Sequence, residues 1–370
     1  MGFAAFDEGY PWDELRPYAE TARAHPGGIV DLSIGTPVDP TPLAIQAALR
    51  EAADSPGYPT VAGSLELREA MAAWWARRRR TEVDETAVLP TIGSKEFVGL
   101  LPSMLGIGPG DAVVIPTVAY PTYAVGARLA GASVVPADDP QEWAGRADVR
   151  LVWINSPSNP TGAVIPAEHQ ARIVAAAREV GAVVAADECY AELPWNEPWT
   201  SHGVPCLLED AVSGGDHTGL LAAYSLSKQS NLAGYRAAFV AGDPELIARL
   251  TLLRRHLGMM LPAPVQAAML TALTETSHVL DQRRIYLHRR ERLLGALERA
   301  GYGVDHSDAG LYLWARKGGR TTWDLVGDLA ELGILVGPGT FYGPGGEGYV
   351  RIALSATDER ITAAAARLGA

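Results

Sequence analysis

The 370-residue sequence has only two cysteines, Cys189 and Cys206. Two thiols are too few for a disulfide framework, a four-thiolate zinc site or an iron–sulfur cluster, and such a composition fits the reducing cytoplasm. The sequence also lacks basic character, since 31 Lys and Arg stand against 43 Asp and Glu, a net charge of −12. That sign is wrong for a protein that binds nucleic acid. We therefore expect a cytoplasmic protein whose partners are small molecules.

Long hydrophobic runs are missing too. The most apolar stretch, 173–186, contains Arg178 and Glu179 and is shorter than the roughly 18 residues that a membrane span needs. The first ten residues carry neither the basic n-region nor the apolar h-region of a signal peptide. The eight histidines show no ligand spacing such as His-x-x-x-His. The sequence thus predicts no membrane segment, no export signal and no metal site.

The hydrophobic pattern that is present predicts an α/β fold. Hydrophobic residues make up 48% of the chain and charged residues 20%, close to the average of folded globular proteins. Short apolar runs predict buried strands at 112–115, 132–135, 151–154, 183–186, 220–224 and 237–240. Helical patterns such as 122–130 and 167–180 separate most of them. This alternation indicates a mostly parallel sheet sandwiched by helices.

The length of the chain favours two domains. The alternating region predicts a large domain over residues 42–255. After it, a helical pattern over 264–300 precedes strand candidates at 311–315 and 350–353, with a helix near 323–332 between them. We therefore expect residues 256–370 to form a linking helix and a smaller α/β domain, which the N-terminal segment 1–41 joins.

The strongest chemical signal follows the strand at 220–224, in the string Ser225-Leu-Ser-Lys228-Gln-Ser-Asn-Leu-Ala-Gly-Tyr-Arg236. Open α/β sheets bind ligands at the carboxyl ends of their strands. A desolvated lysine amine can lose its charge and attack a carbonyl, and the guanidinium of Arg236 suits a phosphate. The string thus combines a lysine that can bind an aldehyde with hydroxyls and an arginine that can bind a phosphate. This combination predicts pyridoxal 5'-phosphate (PLP) as the cofactor. The alternative is a surface lysine in a serine-rich turn.

A carboxylate and a phenol follow the strand at 183–186, in the string Asp187-Glu-Cys-Tyr190. Asp187 could keep the pyridine nitrogen of PLP protonated, which makes the ring an electron sink, and Tyr190 could reach the 3'-oxygen of the ring. Taken alone, an aspartate after a strand is more often a helix N-cap.

Two further strings stand where strands end or helices begin. Asn155-Ser-Pro-Ser-Asn159-Pro-Thr-Gly162 has the composition of a turn, but an Asn159 amide held by Pro160 could donate to the same 3'-oxygen. A cis Asn159–Pro160 bond is one expectation for this turn. The string Thr91-Ile-Gly-Ser94-Lys95-Glu opens an apolar helix, whose N-terminus and Ser94 hydroxyl could bind the phosphate together with Ser225 and Arg236.

Together these motifs resemble the class I and II aminotransferases, PLP enzymes of fold type I, over residues 35–356. The resemblance implies that Lys228 binds the cofactor covalently and that Asp187 pairs with the pyridine nitrogen. It also implies that Asn159 and Tyr190 donate to the 3'-oxygen. Lys228, Asp187 and Tyr190 are then the expected catalytic residues.

The resemblance implies roles for five residues that their own motifs do not identify. Lys95 would bind the phosphate by its backbone, and Tyr120 would stack on the cofactor ring. Tyr58 would reach the phosphate of a partner subunit, so a homodimer is expected. Arg351 would grip the α-carboxylate of the substrate, and Gly35 would lie where the backbone closes over it. The expected substrate-binding residues are thus Gly35, Asn159 and Arg351.

Three strings carry a narrower resemblance, to the actinobacterial N-succinyldiaminopimelate aminotransferases of lysine and diaminopimelate biosynthesis. They are Leu32-Ser-Ile-Gly-Thr-Pro-Val-Asp39, Gly258-Met-Met-Leu-Pro-Ala-Pro-Val265 and Asp308-Ala-Gly-Leu-Tyr-Leu-Trp314. This resemblance implies N-succinyl-LL-2,6-diaminopimelate as the amino substrate and glutamate with 2-oxoglutarate as the second pair.

Other functions use the same fold, because substrate range changes readily within it. The alternatives are an aminotransferase for aspartate, alanine or an aromatic amino acid, and a PLP carbon–sulfur lyase. A non-catalytic PLP-binding regulator is a further alternative from a different class. No motif identifies the residues that meet the distal carboxylate or the succinyl group.

Overall fold

The computed structural model describes residues 9–369, and residues 1–8 of the expected N-terminal segment lie outside the described part. The strands in chain order are β1 (Val30–Leu32), β2 (Val88–Ile92), β3 (Ala112–Ile115), β4 (Ser133–Pro136), β5 (Val149–Asn155), β6 (Val183–Asp187), β7 (Leu220–Ser225), β8 (Ala237–Gly242), β9 (Gly303–Asp305), β10 (Tyr312–Arg316), β11 (Ile334–Pro338) and β12 (Tyr349–Ala353).

The helices surround two sheets built from these strands. In chain order they are α1 (Arg16–Ala24), α2 (Leu43–Glu51), α3 (Leu65–Arg79), α4 (Ser94–Met104), α5 (Thr122–Leu129), α6 (Ala167–Val180), α7 (Trp199–His202), α8 (Asp210–Ser213), α9 (Leu226–Gln229), α10 (Pro244–His256), α11 (Ala263–Thr274), α12 (Ser277–Arg299), α13 (Thr322–Glu331) and α14 (Asp358–Leu368). Within residues 9–369, none of them is long and apolar enough to cross a membrane.

The larger sheet has the strand order β2-β8-β7-β6-β5-β3-β4. Strand β8 is antiparallel to both of its neighbours, and the remaining strand pairs are parallel. In β7, Leu220, Ala222 and Tyr224 pack into one core while Leu221 and Ala223 pack into another. Because successive side chains of a strand point to opposite faces, an uninterrupted apolar run buries both faces of the sheet. The predicted α/β fold with a mostly parallel sheet is confirmed.

The smaller sheet has the order β1-β11-β12-β10-β9 and covers a third core. Its strands come from both ends of the chain, since β1 pairs in parallel with β11, Val30 opposite Ile334. The other pairs are antiparallel. We propose that each sheet belongs to one of the two expected domains. The larger sheet belongs to residues 42–255, and the smaller sheet belongs to residues 1–41 together with 256–370.

The local pattern missed or merged several elements. The helix expected over 264–300 is two helices, because Glu275 after α11 adopts an extended conformation with φ −102° and ψ 99°. Strand β2 was not predicted because it contains Pro90, which a sheet tolerates at its edge, where β2 lies. Strands β1 and β9 have three residues each, too few for a visible alternation.

Three neighbouring parallel strands end together and so place the first polar residues of the site. Asn155 is paired with Asp187 in the register of β5 and β6, and β7 ends next to them at Ser225. The carboxyl ends of β5, β6 and β7 therefore form one edge that carries an amide, a carboxylate and a hydroxyl.

Candidate active site

A cavity of about 1000 Å³ opens at this edge. Eleven of the twelve residues expected at the site line it: Gly35, Ser94, Lys95, Tyr120, Asn159, Asp187, Tyr190, Ser225, Lys228, Arg236 and Arg351. The twelfth, Tyr58, is 97% exposed and does not line the cavity of its own chain. The tertiary structure thus brings together residues that are spread over more than 300 positions of the sequence.

Lys228 stands on the short helix α9, directly after β7. The Ser225 hydroxyl starts this helix by accepting a hydrogen bond from the Ser227 amide at 3.2 Å. The Lys228 Nζ donates to the carbonyl oxygen of Gly35. Burial lowers the pKa of the Lys228 amine from its usual value, because desolvation disfavours the charged form. A larger fraction of the amine is therefore neutral, and able to attack a carbonyl, than in an exposed lysine.

Asp187 is the last residue of β6 and is buried. Its Oδ2 accepts a 3.0 Å hydrogen bond from the Tyr123 hydroxyl, and its Oδ1 accepts one of 3.2 Å from the Cys189 amide. Burial raises the pKa of Asp187, and these hydrogen bonds oppose that rise. Within the described residues no Lys or Arg forms an ion pair with Asp187. A buried carboxylate of this kind suits a protonated ring nitrogen.

Asn155, which the sequence analysis left without a role, ties Asp187 to the turn that follows β5. Its Nδ2 donates to the Asp187 carbonyl at 3.0 Å, and its Oδ1 accepts from the Asn159 amide at 2.8 Å. The expected cis bond at Asn159–Pro160 is wrong: in this turn the cis peptide is Ser156–Pro157. Two prolines stand in the same turn, and only the backbone path of the folded chain distinguishes them.

Arg351, on β12, brings the smaller sheet into the cavity. Its NH1 donates to Asn159 Oδ1 at 2.9 Å and its NH2 to the Ser33 carbonyl at 2.6 Å. The guanidinium carbon lies 4.0 Å from the ring centroid of Tyr312. The buried Nε of Arg351 has no hydrogen-bond partner among residues 9–369. An unsatisfied donor on a buried cation suits an anionic ligand such as a carboxylate.

Tyr312 also contacts two other residues of the site. Its hydroxyl lies 3.1 Å from the Tyr190 hydroxyl. A Cβ atom on Gly35 would stand 2.3 Å from the Tyr312 hydroxyl oxygen, so a side chain at position 35 would collide with it. Burial raises the pKa of Tyr190 well above its usual range, which keeps this phenol protonated and able to donate.

A helix N-terminus and a guanidinium meet at the expected phosphate site. Gly93 adopts φ +75° just before α4, and a Cβ on Gly93 would lie 2.2 Å from the NH2 of Arg236. Glycine is therefore required for Arg236 to approach the first amides of α4, where the helix dipole favours an anion. Lys95 follows Ser94 on the same turn, with its Nζ 5.9 Å from the Tyr120 ring centroid.

The residues present fit PLP. Gly93, Ser94, Ser225 and Arg236 provide donors for a phosphate, Lys228 provides an amine for an aldehyde, and Asp187 provides a buried carboxylate for a ring nitrogen. The sequence analysis missed the supporting residues Tyr123 and Tyr312. Both lie in strings that it quoted or used, but the contacts that give them a role join distant parts of the chain.

Comparison with known proteins agrees with this geometry. The family model for aminotransferase class I and II matches residues 28–368. The 4-dedimethylamino-4-oxo-anhydrotetracycline transaminase of Streptomyces rimosus is 55% identical over 97% of this chain and 98% of its own length. An LL-diaminopimelate aminotransferase of Oleidesulfovibrio alaskensis is 33% identical over 92% of this chain and 90% of its own.

Solved structures show the same fold. A probable N-succinyldiaminopimelate aminotransferase from Thermus thermophilus superimposes with a TM-score of 0.86 at 30% identity, covering 97% of this chain and 99% of that one. An aminotransferase from Neisseria meningitidis gives a TM-score of 0.88 at 33% identity, covering 98% of this chain and 97% of its own.

Proposed function

Since the chain belongs to the class I and II aminotransferase family and is a PLP-dependent aminotransferase, we propose that its amino substrate is N-succinyl-LL-2,6-diaminopimelate. The amino group would pass to 2-oxoglutarate, as a step of lysine and diaminopimelate biosynthesis. The Thermus thermophilus structural neighbour and the LL-diaminopimelate aminotransferase relatives support this choice, because both are named for diaminopimelate compounds.

The observation that carries the proposal is the charge of the cavity. Among the described residues, five basic side chains line it against the two carboxylates of Glu14 and Asp187; the five are Lys95, Arg128, Lys228, Arg236 and Arg351. The protein as a whole is acidic, with a net charge of −12. A phosphate and one α-carboxylate engage Arg236 and Arg351, and Lys228 holds the aldehyde carbon. The side chain of Lys95, which also lines the cavity, suits a further acid group, and this substrate has such groups at its distal end.

Each residue of the site has a proposed task in the reaction. The cofactor, when bound, supplies an electron sink that stabilises negative charge at the substrate Cα. Lys228 would take the Cα proton and deliver it to the C4' carbon of the cofactor, as a neutral amine can. Asp187 holds the proton on the ring nitrogen, and Tyr190 and Asn159 donate to the 3'-oxygen. Because Asn159 Oδ1 accepts from Arg351, Nδ2 is the atom of Asn159 that can donate.

Residues beyond the reacting atoms fix the orientation of the substrate. Arg351 binds the α-carboxylate, and the backbone at Gly35 closes over it. Tyr120 packs against the cofactor ring. Such positioning brings the Cα–H bond close to Lys228 and lowers the entropic part of the barrier.

A second candidate is amination of a ring ketone on an aromatic polyketide. It is favoured by the 55% identity to the Streptomyces rimosus transaminase, whose name describes such a substrate. The aromatic side chains of Trp12, Trp323 and Phe341 in the cavity wall also suit a planar molecule.

We further propose that the enzyme is a cytoplasmic homodimer. Tyr58 is 97% exposed, and other large apolar side chains, Leu43 at 77% and Leu65 at 48%, are exposed in neighbouring parts of the sequence. Exposed apolar residues of this size mark interaction surfaces. A second copy of the chain would cover them and receive Tyr58 at its phosphate site.

An amino-donor screen with 2-oxoglutarate as acceptor tests the proposal. The donors are N-succinyl-LL-2,6-diaminopimelate, LL-2,6-diaminopimelate, aspartate, alanine and phenylalanine, and kcat/KM is measured for each at one pH and salt concentration. We expect the succinylated donor to give the highest value, because its remote groups add binding energy that orients the Cα–H bond. A higher kcat/KM for another donor would reject the substrate while leaving the aminotransferase assignment intact.

A further inference from the structure

The N-terminal segment contributes two side chains to an aromatic wall of the cavity that the catalytic residues do not account for. Trp12 stacks on Tyr10 at a centroid distance of 5.5 Å and contacts Phe341 in a tilted arrangement at 5.2 Å. Phe341 in turn contacts Trp323 at 6.0 Å. All four side chains line the cavity. We call these four residues the aromatic wall.

The wall is close to the residue that is proposed to bind the α-carboxylate. Phe341, which contacts Trp12, is followed in the chain by Tyr342, whose ring centroid lies 5.1 Å from the Arg351 guanidinium carbon. Trp12 is therefore separated from Arg351 by two adjacent side chains. Arg351 and the aromatic wall line the same cavity, so one substrate can contact both.

Three buried hydrogen-bond donors in this region have no partner in the part of the chain that the structure describes. They are the Arg351 Nε, the Tyr342 hydroxyl and the Trp12 Nε1. Their residues all line the cavity. A buried donor without an acceptor costs about 1–3 kcal/mol, and a ligand in this cavity that supplied acceptors to these three donors would remove that cost.

We propose that Trp12 is a specificity-determining residue, whose indole N–H donates to the acyl carbonyl oxygen of an N-acylated diamino-acid substrate. This inference rests on the proposed function, which it deepens by naming a residue for the distal part of the substrate. An indole N–H is a donor only, and it carries no charge. It therefore suits a neutral amide oxygen, whereas a distal carboxylate of the same substrate suits Lys95.

The proposal explains how the site would recognise an acylated substrate. A site that hydrogen-bonds a substrate group rejects an analogue without that group, because the buried donor is left unpaired. The carbon chain of the substrate packs on the rings of the aromatic wall. Trp12 then distinguishes an acylated from a purely hydrocarbon chain of equal length.

The test uses two unreactive diacids of equal chain length that differ only in the amide: 6-(succinylamino)hexanoate and undecanedioate. The dissociation constant of each is measured by calorimetry on the holoenzyme. For the unmodified enzyme we expect the amide diacid to bind about tenfold more tightly, the ratio that one hydrogen bond provides. In Trp12→Phe, which removes the N–H and keeps an aromatic ring, we expect this ratio to fall to about one.

Trp323→Phe is the matched control, since Trp323 belongs to the same aromatic wall and its indole is not one of the unpartnered donors. It should preserve the ratio, even where both diacids bind more weakly. Trp12→Leu replaces Trp12→Phe if the latter does not give a folded holoenzyme by circular dichroism. An unmodified enzyme without preference for the amide, or a Trp12 variant that keeps the preference, would overturn the inference.

The same experiment separates this inference from the proposed function. Diacid binding requires no turnover, so an enzyme that fails to transaminate N-succinyl-LL-2,6-diaminopimelate can still show the ratio and its loss in Trp12→Phe. Conversely, turnover of that substrate with an unchanged ratio in Trp12→Phe rejects the role of Trp12 alone.

Discussion

The Tyr123 hydroxyl donates a 3.0 Å hydrogen bond to Asp187 Oδ2, and this contact joins helix α5 to the end of strand β6 beneath the cavity. Both side chains are buried, and the Tyr123 ring stacks on Trp153 at a centroid distance of 5.0 Å. The stacking holds the phenol in place, so the hydrogen bond can fix the carboxylate that we propose pairs with the ring nitrogen of the cofactor.

Replacing Tyr123 with Phe should move the acidic limb of the kcat–pH profile to higher pH. Burial raises the pKa of Asp187, and the hydrogen bond from Tyr123 lowers it. Removing the hydroxyl therefore raises this pKa further, and the ionised carboxylate is lost at a higher pH as the solution is acidified. Initial rates at saturating substrate over a pH series measure the shift.

The control for Tyr123→Phe is Tyr286→Phe. The Tyr286 hydroxyl is buried without a partner among the described residues, and Tyr286 does not line the cavity. Its removal should leave the pH profile unchanged. An identical profile for both variants would show that Tyr123 does not tune Asp187.

Lys228→Ala should abolish turnover and the absorbance band of covalently bound cofactor. Lys228 is the proposed nucleophile, and burial lowers the pKa of its amine, so a larger fraction of it is neutral than in an exposed lysine. Absorbance spectra and initial rates with glutamate test this. Lys317→Ala removes a lysine that packs over Tyr302, outside the cavity, and should change neither reading. Turnover by the Lys228 variant would assign the nucleophile elsewhere.

Arg351→Ala should raise KM for glutamate by at least about 30-fold, equivalent to ~2 kcal/mol, because it removes a charged, buried contact to the α-carboxylate. Steady-state kinetics with glutamate and 2-oxoglutarate measure it. Arg316→Ala is the control, since Arg316 pairs with Asp305 at 3.1 Å and does not line the cavity. Equal KM values in the two variants would place the carboxylate site at another residue.

Mixing Lys228→Ala with Tyr58→Ala subunits should restore activity. If Tyr58 completes the phosphate site of the partner, a hybrid dimer has one site in which both original residues are present. Activity is measured before and after subunit exchange, with exchange followed by mass spectrometry of the intact dimer. Exchange without recovery would argue against a shared site.

Arg79→Ala should lower the free energy of unfolding by about 3–5 kcal/mol, because it leaves the buried Glu188 carboxylate without a counter-charge. Arg79 pairs with Glu188 at 2.6 Å, and the two side chains are 2% and 1% exposed. Urea unfolding measures the change. Arg284→Ala, which breaks an exposed pair with Asp281, should cost about 1 kcal/mol or less. Similar losses in both variants would contradict the buried pairing.

The local pattern of the sequence was enough to predict the α/β fold and most strands of the larger sheet. Runs such as 220–224 are apolar at every position, which is typical of a strand buried on both faces. The same logic placed Lys228 and Asp187 at strand ends, where a parallel sheet gathers its ligands. Strand β2 was not predicted because Pro90 weakens the local strand pattern. The strand can nevertheless contain this proline because β2 lies at the edge of the sheet.

The amino-acid sequence by itself therefore determined most strands of the larger sheet, the cofactor lysine motif and the family resemblance, because these depend on neighbours within a few residues. Only the tertiary structure decided that Tyr123 donates to Asp187, that Arg351 contacts Asn159, and that Trp12 lies in the cavity wall. In each case the partners come from different helices, strands or sheets. Their contact follows from how these elements pack, which no local pattern of residues specifies.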